Sequence, residues 1–179
     1  MLDYPRLAAL ALESGFSHAA PLDASTLRFL PEVRDMCAAD KCNKFNRSWS
    51  CPPACGTLEE MRARAEKYTR GILVQTVAQL EDGFDFEGMA DAAKRHGESF
   101  DRLVETLSAQ YPGMFPMSAG GCSRCAVCTY PDAPCRFPER LVSSMEACGL
   151  LVSQVCTDNG AKYNHGKDTL AYTACFLLE

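Results

Sequence analysis

The chain has 179 residues, of which 47% are hydrophobic and 23% charged. This is the composition of an ordinary globular domain and excludes a disordered or fibrous chain. The formal net charge is -5, and no cluster of lysine and arginine provides the phosphate contacts of a nucleic-acid surface. No run approaches the roughly 18 apolar residues that a membrane-spanning helix needs. We therefore expect residues 1–179 to form one domain that binds neither nucleic acid nor membrane.

The first half of the chain is predicted to contain three helices and two strands. The predicted elements are a helix over 5–14, a strand over 16–21, a helix from 25 or 26 toward 37, a helix from 57 to about 70 and a strand over 71–80. Pro31 weakens the first half of the second helix. Thr57 and Glu60 have the spacing of a capping box, which favours a helix start there. The segment GILVQTVAQL is the clearest strand of the chain.

The second half is predicted to begin with a long amphipathic helix, because apolar residues recur there at spacings of three and four. The predicted elements are a helix over 86–107, a brief strand within 114–121, a capping box at Ser143 and Glu146, a helix over 150–157 and a strand over 169–179. Both faces of the last strand are apolar, so we expect it in the middle of the sheet. The fold class is predicted to be α/β or α+β, with a small mixed sheet, flanking helices and cysteine-rich loops.

Eleven cysteines are the unusual feature of this composition. The first residues lack a basic leader, so the chain is expected in the cytoplasm, where cysteines are kept reduced. Clustered cysteines in a reducing compartment mainly bind metal or perform redox chemistry. Three of them, Cys148, Cys156 and Cys175, stand on presumed helix or strand faces and are expected to be buried.

Four cysteines within residues 122–135 form what we call the C-terminal group: Cys122, Cys125, Cys128 and Cys135. Their spacing, C-x2-C-x2-C-x6-C, places three thiolates at two-residue intervals, as around the corners of a 4Fe–4S cluster. Gly120 and Gly121 allow a close approach of the backbone. Zinc is the alternative, although structural zinc sites usually draw their thiolates from two separated C-x2-C hairpins. The six-residue last gap differs from that of bacterial ferredoxins.

Four more cysteines form the N-terminal group: Cys37, Cys42, Cys51 and Cys55. Trp49 precedes Cys51 closely, and two prolines follow it. The wide spacing admits a second 4Fe–4S cluster, a zinc site or buried cysteines that pack as small hydrophobes. Ligands shared between the two groups are a further alternative, as in two-cluster ferredoxins. We expect one 4Fe–4S cluster in the C-terminal group and consider a second one here.

The segments CNKFNRSWSCPPACGTLEE and GGCSRCAVCTYPDAPCRFPERLVSSMEACGLLV resemble the DUF2284 family of predicted metal-binding proteins. The likeness covers most of the chain and includes W-x-CPP, the triple cysteine run, PCRFPE and SMEA-x-G. It implies metal or iron–sulfur binding. Cys37, Cys42 and Cys51 match positions associated with the family, whereas Cys55 is less general, so the fourth ligand of a first centre stays open.

Other side chains received a weaker interpretation. His165 precedes the last strand in a polar turn and is interpreted as solvated, with ligand or proton donor as the alternative. His18 and His96 receive no role. Arg136 and Arg140 flank Cys135 and either offset the negative charge of a cluster or lie on the surface.

Three functions were weighed from these patterns. The first is a redox protein that exchanges electrons with an unidentified partner protein. The second is a redox enzyme with an open cluster site, and the third is a zinc-binding structural or adaptor module. Catalytic residues, substrate and oligomeric state do not follow from the sequence.

Overall fold

The computed structural model describes residues 2–179, in which a four-stranded sheet has helices and loops packed on both faces. The helices are α1 (Tyr4–Glu13), α2 (Pro31–Ala38), α3 (Leu58–Ala65), α4 (Phe86–Ser108) and α5 (Val152–Asp158). The strands are β1 (His18–Asp23), β2 (Arg70–Gln79), β3 (Phe115–Met117) and β4 (Thr169–Leu177). No helix within residues 2–179 is long and apolar enough to cross a membrane.

The sheet has the strand order β1-β2-β4-β3, and each pairing is antiparallel. The longest pairing joins β2 to β4, from Gly71 opposite Leu177 to Gln79 opposite Thr169. The predicted interior position of the last strand is confirmed. Helices and antiparallel strands together make the fold α+β, one of the two predicted classes. A Cβ atom at residue 71 would come within 2.1 Å of the Phe176 carbonyl oxygen on the neighbouring strand, so this position requires glycine.

Successive side chains of the two central strands point to opposite faces of the sheet, so the molecule has two apolar cores, one on each face. On one face, α1 and α4 cover residues such as Ile72, Val74 and Phe176, and the rings of Phe100 and Phe176 stack at 5.0 Å. On the other face, Leu73 and Cys175 pack against α5 and the turns around residues 144–150. The N-terminal cysteine loop lies on this second side, with Cys37 and Cys55 at the carbonyl groups of residues 146 and 147.

The helix starts follow the capping signals in two places. Thr57 accepts a hydrogen bond from the Glu60 amide, and the Glu60 carboxylate accepts one from Thr57, so the predicted capping box is confirmed. The predicted long helix is also confirmed as α4. Its N-cap residue, Asp85, accepts a hydrogen bond from the Gly88 amide at 2.8 Å.

Several predicted boundaries were wrong. The helix expected from Ser25 or Thr26 is only a short 3-10 turn over Ala24–Thr26, and α2 begins at Pro31 instead. Proline suits the first helical position because its missing N–H needs no partner there. Strand β1 begins two residues later than expected, and α3 ends at Ala65.

The capping box expected at Ser143 and Glu146 is also wrong, because no helix starts there. The Ser144 hydroxyl instead accepts a hydrogen bond from the Ala147 amide at 3.1 Å, and the Cys148 amide donates to the Ser144 carbonyl at 3.0 Å. These bonds close a tight turn, which passes beneath the N-terminal cysteine group.

Candidate metal centre

The C-terminal group lies in the loop that leaves β3 and ends at the short 3-10 turn Pro138–Arg140. Each of its four thiols is partly buried. All four line one small cavity, which Trp49 and Phe137 help to enclose. The structure therefore brings together the four residues that the spacing predicted as one ligand set.

Backbone hydrogen bonds hold this loop in shape. The Ala133 amide donates to the Thr129 carbonyl at 3.0 Å, and the Thr129 hydroxyl donates to the Pro134 carbonyl at 2.8 Å. The Arg136 guanidinium donates to the Val127 carbonyl at 2.9 Å. Arg136 thus ties the end of the loop back to its middle.

Two thiols of the group lie close to backbone N–H groups. The Phe137 amide donates to Cys135 Sγ at 3.4 Å. Burial raises the pKa of Cys128. Hydrogen bonds from the backbone of Tyr130 and Trp49, with smaller contributions from Ser48 and Thr129, together lower the pKa by more than burial raises it, so the net shift is downward. Donors aimed at sulfur stabilise the thiolate, which is the form that binds metal.

Three cationic side chains also line the cavity, namely Lys44, Arg124 and Arg136. Arg124 is paired with Asp101, to which its Nη1 donates at 2.9 Å. Arg140, predicted beside Cys135, instead directs its Nη2 to Asp101 at 3.3 Å and does not line the cavity. Lys44 and Arg136 consequently supply the unneutralised positive charge nearest the thiols.

The N-terminal group begins with Cys37 near the end of α2, and its other three cysteines lie in the loop between α2 and α3. Cys51 is buried, Cys37 and Cys55 are partly buried, and Cys42 is exposed. The thiol of Cys37 points to the Glu146 carbonyl at 3.9 Å, and that of Cys55 to the next carbonyl, Ala147, at 3.7 Å. The turn at residues 144–148 therefore forms the floor of this group.

The thiols of the N-terminal group act on one another electrostatically. Burial raises the pKa of Cys37, and the charges of Glu146, Cys42 and Cys51 raise it further. Burial likewise raises the pKa of Cys55, where the charge of Arg34 opposes the shift and that of Cys51 adds to it. The four residues predicted as a first ligand set thus share one neighbourhood, Cys55 included.

The segment Ser48–Cys51 joins the two groups. Ser50 Oγ accepts a hydrogen bond from the Cys122 amide at 3.2 Å. A side chain at Gly121 would come within 3.7 Å of Cys51 Sγ and 3.1 Å of the Lys44 side chain. The N-terminal loop is therefore packed directly against the backbone that presents the C-terminal group.

Trp49 strengthens this junction from the outside. Its indole Nε1 donates to the Ala133 carbonyl at 3.1 Å. Its ring meets the Tyr130 ring edge-on, with the two ring centroids 4.9 Å apart. The Tyr130 hydroxyl in turn donates to Asn46 Oδ1 at 2.9 Å. The half-buried Trp49 ring therefore covers the junction and lines the cavity of the C-terminal group.

The remaining cysteines, Cys148, Cys156 and Cys175, are fully buried, as predicted. Burial raises the pKa of Cys148 to about 12 and raises those of the other two thiols. Protonated thiols in an apolar core pack as small hydrophobes. Cys148 nevertheless lies in the turn beneath the N-terminal group, where the charge of Cys55 contributes to its raised pKa.

The donor set fits a metal group bound through thiolates. Four thiols line one cavity, and backbone N–H groups point at two of them. Within residues 2–179, however, no three His, Cys, Asp or Glu side chains come close enough to share a single metal ion. The four thiols of the C-terminal group share the lining of one cavity.

Comparison with known proteins agrees with this chemistry. The family model described as "Predicted metal-binding protein (DUF2284)" matches residues 20–178. The chain belongs to the DUF2284 family. No curated protein and no solved structure matched it. For this DUF2284 protein, metal binding is therefore supported by both the family and the grouping of its cysteines.

Sequence reasoning missed three polar residues of this DUF2284 site: Lys44, Ser48 and Ser50. Only their closeness to Cys51 in the sequence could have indicated them. Histidines were also misjudged. His96 is buried with Nδ1 at 3.0 Å from Thr76 Oγ1, and His165 is partly buried against Gln75, so it is not simply solvated.

Proposed function

We propose that this DUF2284 protein is an iron–sulfur electron carrier. Cys122, Cys125, Cys128 and Cys135 would hold one 4Fe–4S cluster, and the N-terminal group would hold a second. The observation that carries the proposal is that all four thiols of the C-terminal group line one cavity. When bound, such a cluster supplies one-electron oxidation and reduction.

The spacing of the thiols along the chain favours a cluster over zinc. Four thiolates around one zinc ion converge on it at about 2.3 Å. A cubane cluster is larger, so its ligands lie farther apart around a common space. The three cysteines at two-residue intervals suit that wider object. Zinc remains the outcome that the experiment below must separate from a cluster.

The chain's own residues prepare the site for thiolate ligands. Backbone N–H groups donate toward Cys128 and Cys135. Trp49, Phe137 and Leu141 line the cavity with apolar surface and exclude water. Hydrogen bonds to sulfur and solvent exclusion are two of the means by which a protein sets a cluster potential.

Contact between the two loops supports a short path for electrons. Cys51 lies beside Gly121, and Ser50 accepts a hydrogen bond from the Cys122 amide. The proposed ligands of the two centres are therefore neighbours in space. In the C-terminal group, Val127 lies between Cys125 and Cys128 in the sequence, and 77% of the Val127 surface is exposed. A partner protein can approach the C-terminal centre there.

Cysteine chemistry supports a cytoplasmic location as part of the proposal. All eleven cysteines are free thiols, and none forms a disulfide. Metal binding through eight of them requires that they stay reduced, as in the cytosol.

Electron paramagnetic resonance of anaerobically purified protein, before and after dithionite reduction, tests the proposal. We expect the reduced protein to give a signal with two components, one from each cluster. Cys125→Ser should diminish the component of the C-terminal centre, and Cys51→Ser that of the N-terminal centre. Cys156→Ala is the matched control, because Cys156 is buried and outside both groups. A protein that shows no signal and contains zinc would overturn the proposal.

A further inference from the structure

A second cavity, of about 280 Å³, lies at the β1 edge of the sheet and away from the cysteine groups. Its floor is formed by β1 and β2, with Leu73 and Gln75 contributed by the same face of β2. Its wall is the loop between α5 and β4, which contributes Lys162 and His165. No part of the proposed metal chemistry uses this cavity.

Two histidines stand together in this cavity. The rings of His18 and His165 are stacked, with centroids 4.9 Å apart and planes 9° from parallel. His18 comes from the start of β1, whereas His165 comes from the distant loop before β4. The fold thus brings two imidazoles together that are 147 residues apart in the sequence (165 minus 18).

Gln75 fixes the orientation of His165. Its side chain is 3% exposed, and its Nε2 donates to the Lys162 carbonyl at 2.8 Å and to Thr173 Oγ1 at 3.1 Å. Its Oε1 is consequently left to accept from His165 Nε2 at 3.2 Å. This hydrogen-bond network assigns a proton to Nε2 and leaves His165 held in place at the cavity wall.

The cavity is electropositive. Lys162, His18 and His165 line it, and no acidic residue does so within the described chain. Burial lowers the pKa of His165, and the neighbouring positive charges of His18 and Lys162 lower it further. An anion bound here would relieve that repulsion and accept a hydrogen bond from the Lys162 ammonium. Because His165 Nε2 already donates to Gln75, the anion would also favour a second proton on His165 Nδ1, which would then donate to it.

From this geometry we propose that the cavity binds the oxyanion group of a small molecule, a carboxylate or a phosphate. A metal ion is disfavoured because two parallel, stacked imidazoles do not aim their nitrogens at one point and no third ligand lines the cavity. The volume suits a compact ligand, since it is at the lower end of small-molecule pockets. The site is independent of the proposed electron transfer.

Isothermal titration calorimetry with inorganic phosphate and, separately, malonate tests the proposal on the full chain with its metal content intact. We expect saturable binding of at least one of the two, and the preferred anion identifies the oxyanion class. Lys162→Gln and His165→Gln should each weaken it by about tenfold, as loss of a charge-assisted hydrogen bond does. Lys167→Gln is the matched control, because Lys167 is 91% exposed and outside the cavity.

Protection from diethyl pyrocarbonate provides a second measurement at the same residues. Saturating anion should slow the modification of His18 and His165 several-fold, as read by peptide mass spectrometry. Absence of saturable binding of either anion would overturn the proposal. Equal weakening by Lys167→Gln and Lys162→Gln would also overturn it, because binding would then follow general surface charge.

Discussion

Ser50 and Cys122 are joined by a hydrogen bond of 3.2 Å from the Cys122 amide to the Ser50 hydroxyl, although they belong to loops 72 residues apart. Ser50 precedes Cys51, the buried cysteine of the N-terminal group, and Cys122 is the first cysteine of the C-terminal group. One side chain thus fixes the position of one ligand loop relative to the other. Hydrogen bonding therefore couples the two candidate centres into one structural unit.

Replacing Ser50 by alanine should weaken this coupling. The Cys122 amide would lose its partner, and the free energy of unfolding should fall by about 1 kcal/mol. Urea unfolding measures the change, and loss of visible absorbance under air measures cluster lability, which should increase. Ser123→Ala is the control, because Ser123 is exposed and next to the same ligand. Equal effects of the two substitutions would contradict the role given to Ser50.

Positive charge at the cavity should raise the reduction potential of the C-terminal centre. Arg136 lines the cavity, so Arg136→Gln should lower the potential by some tens of millivolts, since negative charge on the reduced centre is then less well compensated. A redox titration followed by electron paramagnetic resonance checks the shift. Arg95 lies on the exposed surface of α4, where it pairs with Asp91, so Arg95→Gln should leave the potential unchanged. An unchanged potential in Arg136→Gln would refute the electrostatic role.

His96 should make the fold sensitive to acid. Burial lowers its pKa to about 4, from an ordinary value near 6.5, so the folded state keeps the ring neutral while the unfolded state takes up a proton first. The stability contributed by this difference is complete above pH ~6.5 and is lost as the pH falls toward ~4.

Urea unfolding at two pH values measures this contribution. The free energy of unfolding should decrease by about 2 kcal/mol between pH ~7.5 and pH ~5 on account of His96. His96→Gln removes the titrating group and should show a correspondingly flatter dependence. The interpretation fails if the variant and the original chain lose the same stability over this interval.

Two glycines of α4 should respond oppositely to alanine. A methyl group at Gly97 would meet open space, so Gly97→Ala should stabilise the chain by up to about 1 kcal/mol through helix propensity. At Gly88 the methyl group would come within 2.3 Å of the Asp85 carboxylate, which caps the helix, so Gly88→Ala should destabilise it. Thermal unfolding of both variants measures the difference, and stabilisation by Gly88→Ala would contradict the capping geometry.

Features with strong local signals were predictable from the sequence. The capping box at Thr57, the apolar period of α4 and the apolar alternation of β4 each determine local structure through neighbouring residues. Spacing also identified Cys122, Cys125, Cys128 and Cys135 as one set, because their ligand loop is short.

Features that depend on distant contacts were not predictable. The isolated bridge between Phe29 and Leu150, just before α2, joins segments that no local pattern relates. The junction of Ser50 with Cys122 and the stacking of His18 on His165 likewise join loops that no local pattern relates. Tertiary packing decides such pairs, so one sequence contains no periodic signal for them.

Iron, zinc and acid-labile sulfide content of an anaerobic preparation tests the central claim most directly. The proposal predicts about eight iron atoms and eight sulfides per chain, four of each for every 4Fe–4S cluster, with negligible zinc. About four of each would leave one cluster per chain and refute the second. One or two zinc ions per chain without acid-labile sulfide would contradict the claim.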